Sequence, residues 1–139
     1  MWSKRKSVDY SLQRRRTLAE LHGALRTMVS HDALEADPML IRAALHHGEL
    51  TEIRCPIGNC RQLLRLNYTF GDQLGQYSGR IKSDVELEQM ENEYGEFTVY
   101  VVEVCSECGW NHVIESYLLG DGKVRKPPKR TSTVEDIYG

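Results

Sequence analysis

The chain has 139 residues, of which 40% are hydrophobic and 27% charged, and its formal net charge is −2. This length fits a single domain. The near-neutral charge excludes a protein that coats nucleic acid through uniform basicity. The charges are nevertheless segregated, because basic residues concentrate near both ends of the chain and acidic residues in its middle.

Basic residues dominate positions 1–16, where Asp9 is the one acid. We expect residues 1–7 to form a basic arm. Residues 1–6 lack the apolar stretch of a secretory signal, and no run in the chain is long enough to cross a membrane. The side chains expected here to contact phosphate or a partner are Lys4, Arg5, Lys6, Arg14, Arg15 and Arg16.

Two helices are predicted before the first cysteine. Asp9 can cap the first, whose apolar residues recur at helical spacing at Val8, Leu12, Leu18, Leu21, Leu25 and Met28. We interpret this stripe as a packing face rather than an exposed partner-binding face. Asp37 and Pro38 predict the start of the second helix, and Gly48 predicts its end. A helix-turn-helix is disfavoured because the second helix offers few polar groups to DNA.

All four cysteines lie in two short motifs, CPIGNC from Cys55 to Cys60 and CSEC from Cys105 to Cys108. Two such turns facing each other supply the four sulfurs of a tetrahedral zinc site, which we predict to be structural. The spacing of the first pair is wider than usual. Two disulfides, a redox pair and a deaminase zinc site fit less well, since the sequence context of each is missing.

The segments around the cysteines have the character of strands. Residues 61–70 alternate, with Leu64, Leu66, Tyr68 and Phe70 predicted to share the buried face of a half-buried strand. Residues 71–82 are predicted to form a loop. Residues 97–104 predict a central strand, and residues 113–119 its hairpin partner.

An acidic helix is predicted between the two cysteine pairs. Ser83 and Glu86 have capping-box spacing, and the helix should run to about Tyr94. Leu87 and Met90 should point inward and the glutamates outward.

Two further features each allow two functional interpretations. Trp110 either covers the zinc site or stands exposed as a stacking or anchor residue. The tail after Gly120 is expected to be extended and is either solubilising or a phosphate contact. Its basic residues are Lys123, Arg125, Lys126, Lys129 and Arg130.

A set of motifs in this order resembles a family of small actinobacterial proteins of unknown function. The motifs are VDYSLQRR, ADPMLIRAALHHGE, CPIGNC, FGDQLG, SGR and GEFTVYVVEVCSECGWNHVIESYLLG. They cover nearly the whole chain. The resemblance implies a cytoplasmic zinc-ribbon protein and brings no catalytic assignment.

The sequence therefore predicts an α+β protein in three parts. Residues 1–49 hold the basic arm and helices, residues 50–120 a zinc ribbon of three or four antiparallel strands with an inserted helix at about 83–94, and residues 121–139 a basic tail. We expect one structural zinc ion and a non-enzymatic binding module, by analogy with ribbons that grip transcription and translation machinery. RNA polymerase is the expected partner, with a ribosome- or RNA-associated factor and a pure protein adapter as alternatives, and no small-molecule substrate.

Overall fold

Six strands form one antiparallel sheet in the part of the chain that the structure describes. The computed structural model describes residues 1–22, 35–58 and 60–126. In chain order the elements are β1 (Arg5–Asp9), α1 (Ser11–His22), α2 (Pro38–His47), β2 (Glu49–Arg54), β3 (Gln62–Phe70), a 3-10 helix (Asp72–Tyr77), β4 (Arg80–Ile81), α3 (Asp84–Met90), β5 (Phe97–Val104) and β6 (Asn111–Leu119). The predicted α+β class is confirmed, although the sheet has more strands than expected.

The sheet has the strand order β1-β6-β5-β3-β2, and β4 pairs with β3 beside β2. The pairing of β3 with β5 runs without a register shift from Leu64 opposite Val104 to Phe70 opposite Thr98. Strand β5 lies between β6 and β3, and its two faces pack into different clusters, Val99 and Val101 on one side and Val102 and Val104 on the other. The prediction of a central strand at residues 97–104 is confirmed.

Three hydrophobic clusters cover different parts of this sheet. The α3-side cluster packs Leu74, Leu87 and Met90 against Phe97, Val99, Val101, Tyr117 and Leu119. The α2-side cluster lies on the opposite face and contains Ala44, Leu66 and Val104. The cysteine cluster occupies one end of the sheet and contains Leu21, Cys55, Leu63, Cys105 and Trp110.

The helix starts follow local signals in the sequence. Asp9 Oδ1 accepts a hydrogen bond from the Ser11 amide at 2.7 Å, and Asp37 Oδ1 accepts one from the Met39 amide at 2.7 Å. At α3 both bonds of the predicted capping box are present. The end of α2 at Gly48 is also confirmed.

The N-terminal segment is not an arm. Residues 5–9 form β1, which pairs with β6, with Val8 opposite Ser116. Val8 and Leu12 are exposed, so they do not extend the apolar stripe of α1. A strand with mainly exposed side chains carries little apolar periodicity, and the pairing joins residues about one hundred positions apart, so no local pattern predicts it.

Three other predictions were wrong in detail. Strand β3 is covered on both faces, with Leu63, Leu66 and Thr69 buried, whereas Phe70 is 42% exposed. Residues 71–82, predicted as a loop, contain the 3-10 helix and β4. The acidic helix ends at Met90, and Glu91 is buried instead of facing outward. The predicted stripe positions Leu25 and Met28 lie outside the described residues.

No helix within the described segments has both the length and the apolar character needed to span a bilayer.

Candidate metal centre

Two loops at the same end of the sheet carry the four cysteines. One loop joins β2 to β3 and the other joins β5 to β6, and the pairing of Leu64 with Val104 places the two loops side by side. The Cys55 amide donates to the Arg61 carbonyl at 2.8 Å, and the Cys105 amide donates to the Trp110 carbonyl at 2.8 Å. Each loop is thus closed by a backbone bond from its own first cysteine.

The four sulfur atoms converge on one point. All four Sγ atoms lie within 4.8 Å of one another, and those of Cys55 and Cys108 are 3.3 Å apart. A tetrahedral zinc ion with Zn–S bonds of about 2.3 Å sets sulfurs roughly 3.8 Å apart. The four thiols therefore fit a divalent metal ion that prefers soft ligands in tetrahedral geometry.

The pKa values of the thiols reflect their burial and how closely the sulfurs are packed. Burial raises the pKa of Cys108 well above its usual value, and the adjacent Cys55 and Cys105 side chains raise it further. Burial and then the charge of Cys55 raise the pKa of Cys60. For Cys55, burial works in the same direction, but hydrogen bonds from the Ile57 and Gly58 amides lower its pKa overall. Four thiolates this close together repel one another unless a positive ion neutralises them.

Apolar side chains cover the inner side of the sulfur site. Leu21 of α1, Leu63 of β3 and Trp110 are buried against Cys55 and Cys105. Leu18, one helical turn before Leu21, packs on the same group. Helix α1 and the cysteine loops therefore share one core.

Trp110 lies at the centre of a layered arrangement. Its ring is fully buried and stacks on His112 with the ring centroids 5.7 Å apart. The guanidinium carbon of Arg14 lies 5.9 Å from the same ring. Of the two interpretations left open by the sequence, the structure places Trp110 as a cover of the sulfur site rather than as an exposed stacking residue.

An ion pair ties the two cysteine loops together on the solvent side. Arg61 Nε donates to Glu107 Oε1 at 2.5 Å. Cys60 and Cys108 are partly exposed, while Cys55 and Cys105 are buried. The site is thus closed by apolar packing on one side and bordered by a charged pair on the other.

Five of the predicted basic contacts form ion pairs within the molecule. Lys4 pairs with Glu115 at 2.7 Å, Arg5 lies 3.6 Å from Glu96, Arg16 lies 3.4 Å from Glu20, and Arg125 pairs with Asp121 at 2.6 Å. Arg14 pairs with Glu103. Lys6, Arg15, Lys123 and Lys126 are exposed, and Lys129 and Arg130 lie outside the described residues.

Sequence reasoning missed the partner of Arg14. The side chain of Glu103 is only 5% exposed and accepts hydrogen bonds from the Arg14 guanidinium. The available signal was a lone acid within the apolar run FTVYVVEV. A charge at such a position is buried only with a partner.

A groove lies between the first turn of α1 and β2 on the face that carries Glu103. Its volume is about 560 Å³, and its floor includes Leu63, Ile114 and Arg65. Strand β2 is the last strand on this side of the sheet order, and Ile53 at the rim is 57% exposed.

Comparison with known proteins identifies relatives along nearly the whole chain. The uncharacterized proteins Rv0049 of Mycobacterium tuberculosis and Mb0050 of Mycobacterium bovis are each 42% identical over 122 residues, covering 88% of this chain and 88% of theirs. No solved structure matches the chain. The mycobacterial relatives agree with the actinobacterial resemblance drawn from the motifs.

The family model described as "Family of unknown function (DUF5318)" matches residues 1–133, and the chain therefore belongs to that family.

Proposed function

We propose that this protein binds one structural zinc ion through Cys55, Cys60, Cys105 and Cys108 and serves as a non-enzymatic binding module. The observation that carries the proposal is the convergence of the four Sγ atoms within 4.8 Å. Four thiolates complete the tetrahedron, which leaves no coordination position for a reacting water molecule. A zinc ion held in this way stabilises the fold instead of activating a substrate.

For the partner, we propose the transcription machinery, with RNA polymerase as the first candidate. The support is fold-level analogy with zinc ribbons that bind such assemblies, together with exposed cations for which no ion pair is described, Lys6, Arg15, Lys123 and Lys126 among them. Lysine and arginine on the surface provide sequence-independent contacts to a phosphate backbone.

A protein adapter without nucleic-acid contact is the second candidate. Several of the predicted cations form ion pairs within the molecule, namely Lys4, Arg5, Arg14 and Arg125. Fewer cations are therefore available to bind phosphate than the sequence predicted. The groove beside β2 offers a protein partner an apolar floor and an edge strand.

Metal analysis tests the first part of the proposal. We expect the purified wild-type protein to contain one zinc ion per chain, and Cys108→Ser to lose most of it because a hydroxyl is a poor substitute for a thiolate. The control is Ser106→Ala, which lies in the same loop and leaves the four sulfurs in place. A wild-type protein without stoichiometric metal, or a Cys108→Ser variant with full zinc content, would contradict the proposal.

Affinity purification at low salt, with and without nuclease, tests the partner. RNA polymerase subunits that persist after nuclease treatment would support the transcription proposal, whereas ribosomal proteins lost with RNase would support the RNA-associated alternative. A Lys6→Ala, Arg15→Ala double variant that recovers its protein partner at the wild-type level would favour the adapter. The control is Gln13→Ala, an exposed uncharged position on the same helix.

A further inference from the structure

Helix α1 obtains its buried contacts almost entirely from the cysteine site. Leu21, its buried residue, and Leu18 pack against a cluster made of the cysteines, Leu63, Ile57 and Trp110. None of the residues of α1 belongs to the α3-side cluster or the α2-side cluster. The apolar attachment of the helix therefore depends on the position of the two cysteine loops.

The polar contacts of α1 are also made to the cysteine loops or to residues beside them. His22 Nε2 lies 3.3 Å from the carbonyl oxygen of Pro56, the residue after Cys55. Thr17 Oγ1 lies 3.5 Å from His112 Nε2, and His112 stacks on Trp110. Outside the cysteine loops, Arg14 pairs with Glu103 of β5, and just before the helix the Tyr10 amide donates to the Ile114 carbonyl at 3.1 Å.

A helix of this length does not hold its conformation without such support. Helices shorter than about 12–15 residues are marginal in water, because most of their stability comes from packing. The described part of α1 spans 12 residues and includes one internal ion pair, Arg16 with Glu20. We therefore expect α1 to stay helical only while the cysteine loops and Trp110, which support it, keep their positions.

The remainder of the sheet has a separate core. The α3-side cluster buries Phe97, Val99 and Val101 of β5 together with Tyr117 and Leu119 of β6, away from the sulfur atoms. None of these residues belongs to the cysteine cluster.

We propose that the metal site is a latch for helix α1, so that loss of the ion releases α1 and uncovers Trp110 while the α3-side core stays folded. The proposal rests on the zinc binding proposed above. The converse follows from thermodynamic linkage: if the metal stabilises the docked helix, the docked helix stabilises the bound metal by the same factor.

Hydrogen exchange of the full chain with zinc bound and after chelation tests the first half. We expect exchange in residues 11–22 to accelerate at least about fivefold on chelation, while residues 97–101 and 117–119 change little. Unchanged protection of α1 would overturn the latch. Equal loss of protection in α1 and in the α3-side core would overturn it as well, because the release would then be global unfolding.

Zinc affinity tests the converse with the four cysteines intact. Leu21→Ala should raise the dissociation constant for zinc at least about fivefold, measured by competition with a chromophoric chelator. Leu12→Ala is the matched control, because Leu12 is in the same helix but 73% exposed. Equal zinc affinity in the two variants would refute the latch while leaving the zinc proposal intact, whereas the absence of zinc from the wild-type protein would refute both.

Tryptophan fluorescence gives an independent readout. The chain has two tryptophans, and Trp2→Phe leaves Trp110 as the sole reporter. Chelation should shift its emission to longer wavelength, because a fully buried ring becomes hydrated. An unshifted spectrum after complete zinc removal would show that Trp110 stays covered and would contradict the latch.

Discussion

At the scale of single residues, the buried pair of Arg14 and Glu103 shows how a charge is accommodated in an apolar strand. Glu103 lies on central strand β5, where a carboxylate without a partner would be strongly destabilising. Arg14 reaches it from α1 and also lies over the ring of Trp110. One guanidinium thus connects the helix, the sheet and the cover of the sulfur site.

Removing this guanidinium should be costly. We expect Arg14→Ala to lower the free energy of unfolding by about 3–5 kcal/mol, because it leaves a buried carboxylate unpaired. The control Arg15→Ala, exposed on the same helix, should change it by no more than about 0.5 kcal/mol. Urea denaturation measures both, and equal effects would show that the pair does not stabilise the fold.

The sequence supported the cysteine assignment at this scale but not the pairing of Arg14. In each motif the two cysteines are only a few residues apart. The four ligands could therefore be predicted without knowledge of the fold. Arg14 and Glu103 are 89 positions apart. In the sequence Arg14 is the first of three consecutive arginines and looked like part of a basic surface, because no local feature distinguishes a buried arginine from an exposed one.

At the scale of elements, the capping box of α3 is a case in which local sequence determined the structure. Ser83 Oγ accepts from the Glu86 amide at 3.2 Å, and the Ser83 amide donates to Glu86 Oε1 at 3.0 Å. All four atoms lie within one turn, which is why the spacing was sufficient to predict the start of the helix. The residue after α3, Glu91, is buried and bonded to Ser3, a tertiary contact that the local sequence does not reveal.

Loss of the cap should have a moderate cost. Ser83→Ala should lower the free energy of unfolding by about 1 kcal/mol. The exposed Glu88 on the same helix supplies the control, and Glu88→Ala should have a clearly smaller effect. Thermal denaturation of the two variants measures the difference, and a Ser83→Ala variant as stable as wild type would contradict this role of the hydroxyl.

The same cap should depend on pH. The hydrogen bond from the Ser83 amide, and then the charge of Lys82, hold the pKa of Glu86 below its usual value. A lowered pKa in the folded state means that the stabilisation is present above the unfolded pKa of 4.5 and is lost as the pH falls through the folded value. The difference in Tm between wild type and Glu86→Ala should therefore be largest near neutral pH and shrink below about pH 4. A difference that is constant with pH would contradict this assignment.

The turn after β6 is an element in which glycine is required for space. A Cβ on Gly120, whose φ is +123°, would lie 2.3 Å from the Gly95 carbonyl oxygen. Gly120→Ala should cost more than about 3 kcal/mol, because backbone strain of that order is added to a clash with main-chain atoms. The control is Gly122→Ala, where φ is +79° but no atom lies within 4 Å, so only the strain remains. Equal melting temperatures for the two variants would exclude the clash.

At the scale of the whole molecule, three distant segments meet at one buried carboxylate. Glu91 Oε1 accepts hydrogen bonds from the amide and hydroxyl of Ser3 at 2.8 and 2.6 Å. The Ser3 hydroxyl in turn accepts from the Gly120 amide at 3.1 Å. This network fixes the segment before β1 to α3 and to the end of β6, and it explains why the expected basic arm is part of the fold.

Breaking the network should destabilise the fold as a unit. We expect Glu91→Ala to lower the free energy of unfolding by about 2 kcal/mol, because two donors of Ser3 lose their buried acceptor. Glu93→Ala, exposed two residues later, is the control. Guanidinium denaturation measures the change, and a Glu91→Ala variant that behaves like Glu93→Ala would refute the structural role of the carboxylate.

The placement of both cysteine loops at one end of the sheet follows from how β3 lies against β5. A slip of one residue between these strands turns every side chain to the opposite face and carries Cys60 away from Cys105. Only a chain in which β3 and β5 are correctly aligned can then bind an ion with all four sulfurs. A bound ion would therefore report correct alignment of β3 with β5, since only an aligned chain offers it all four thiols.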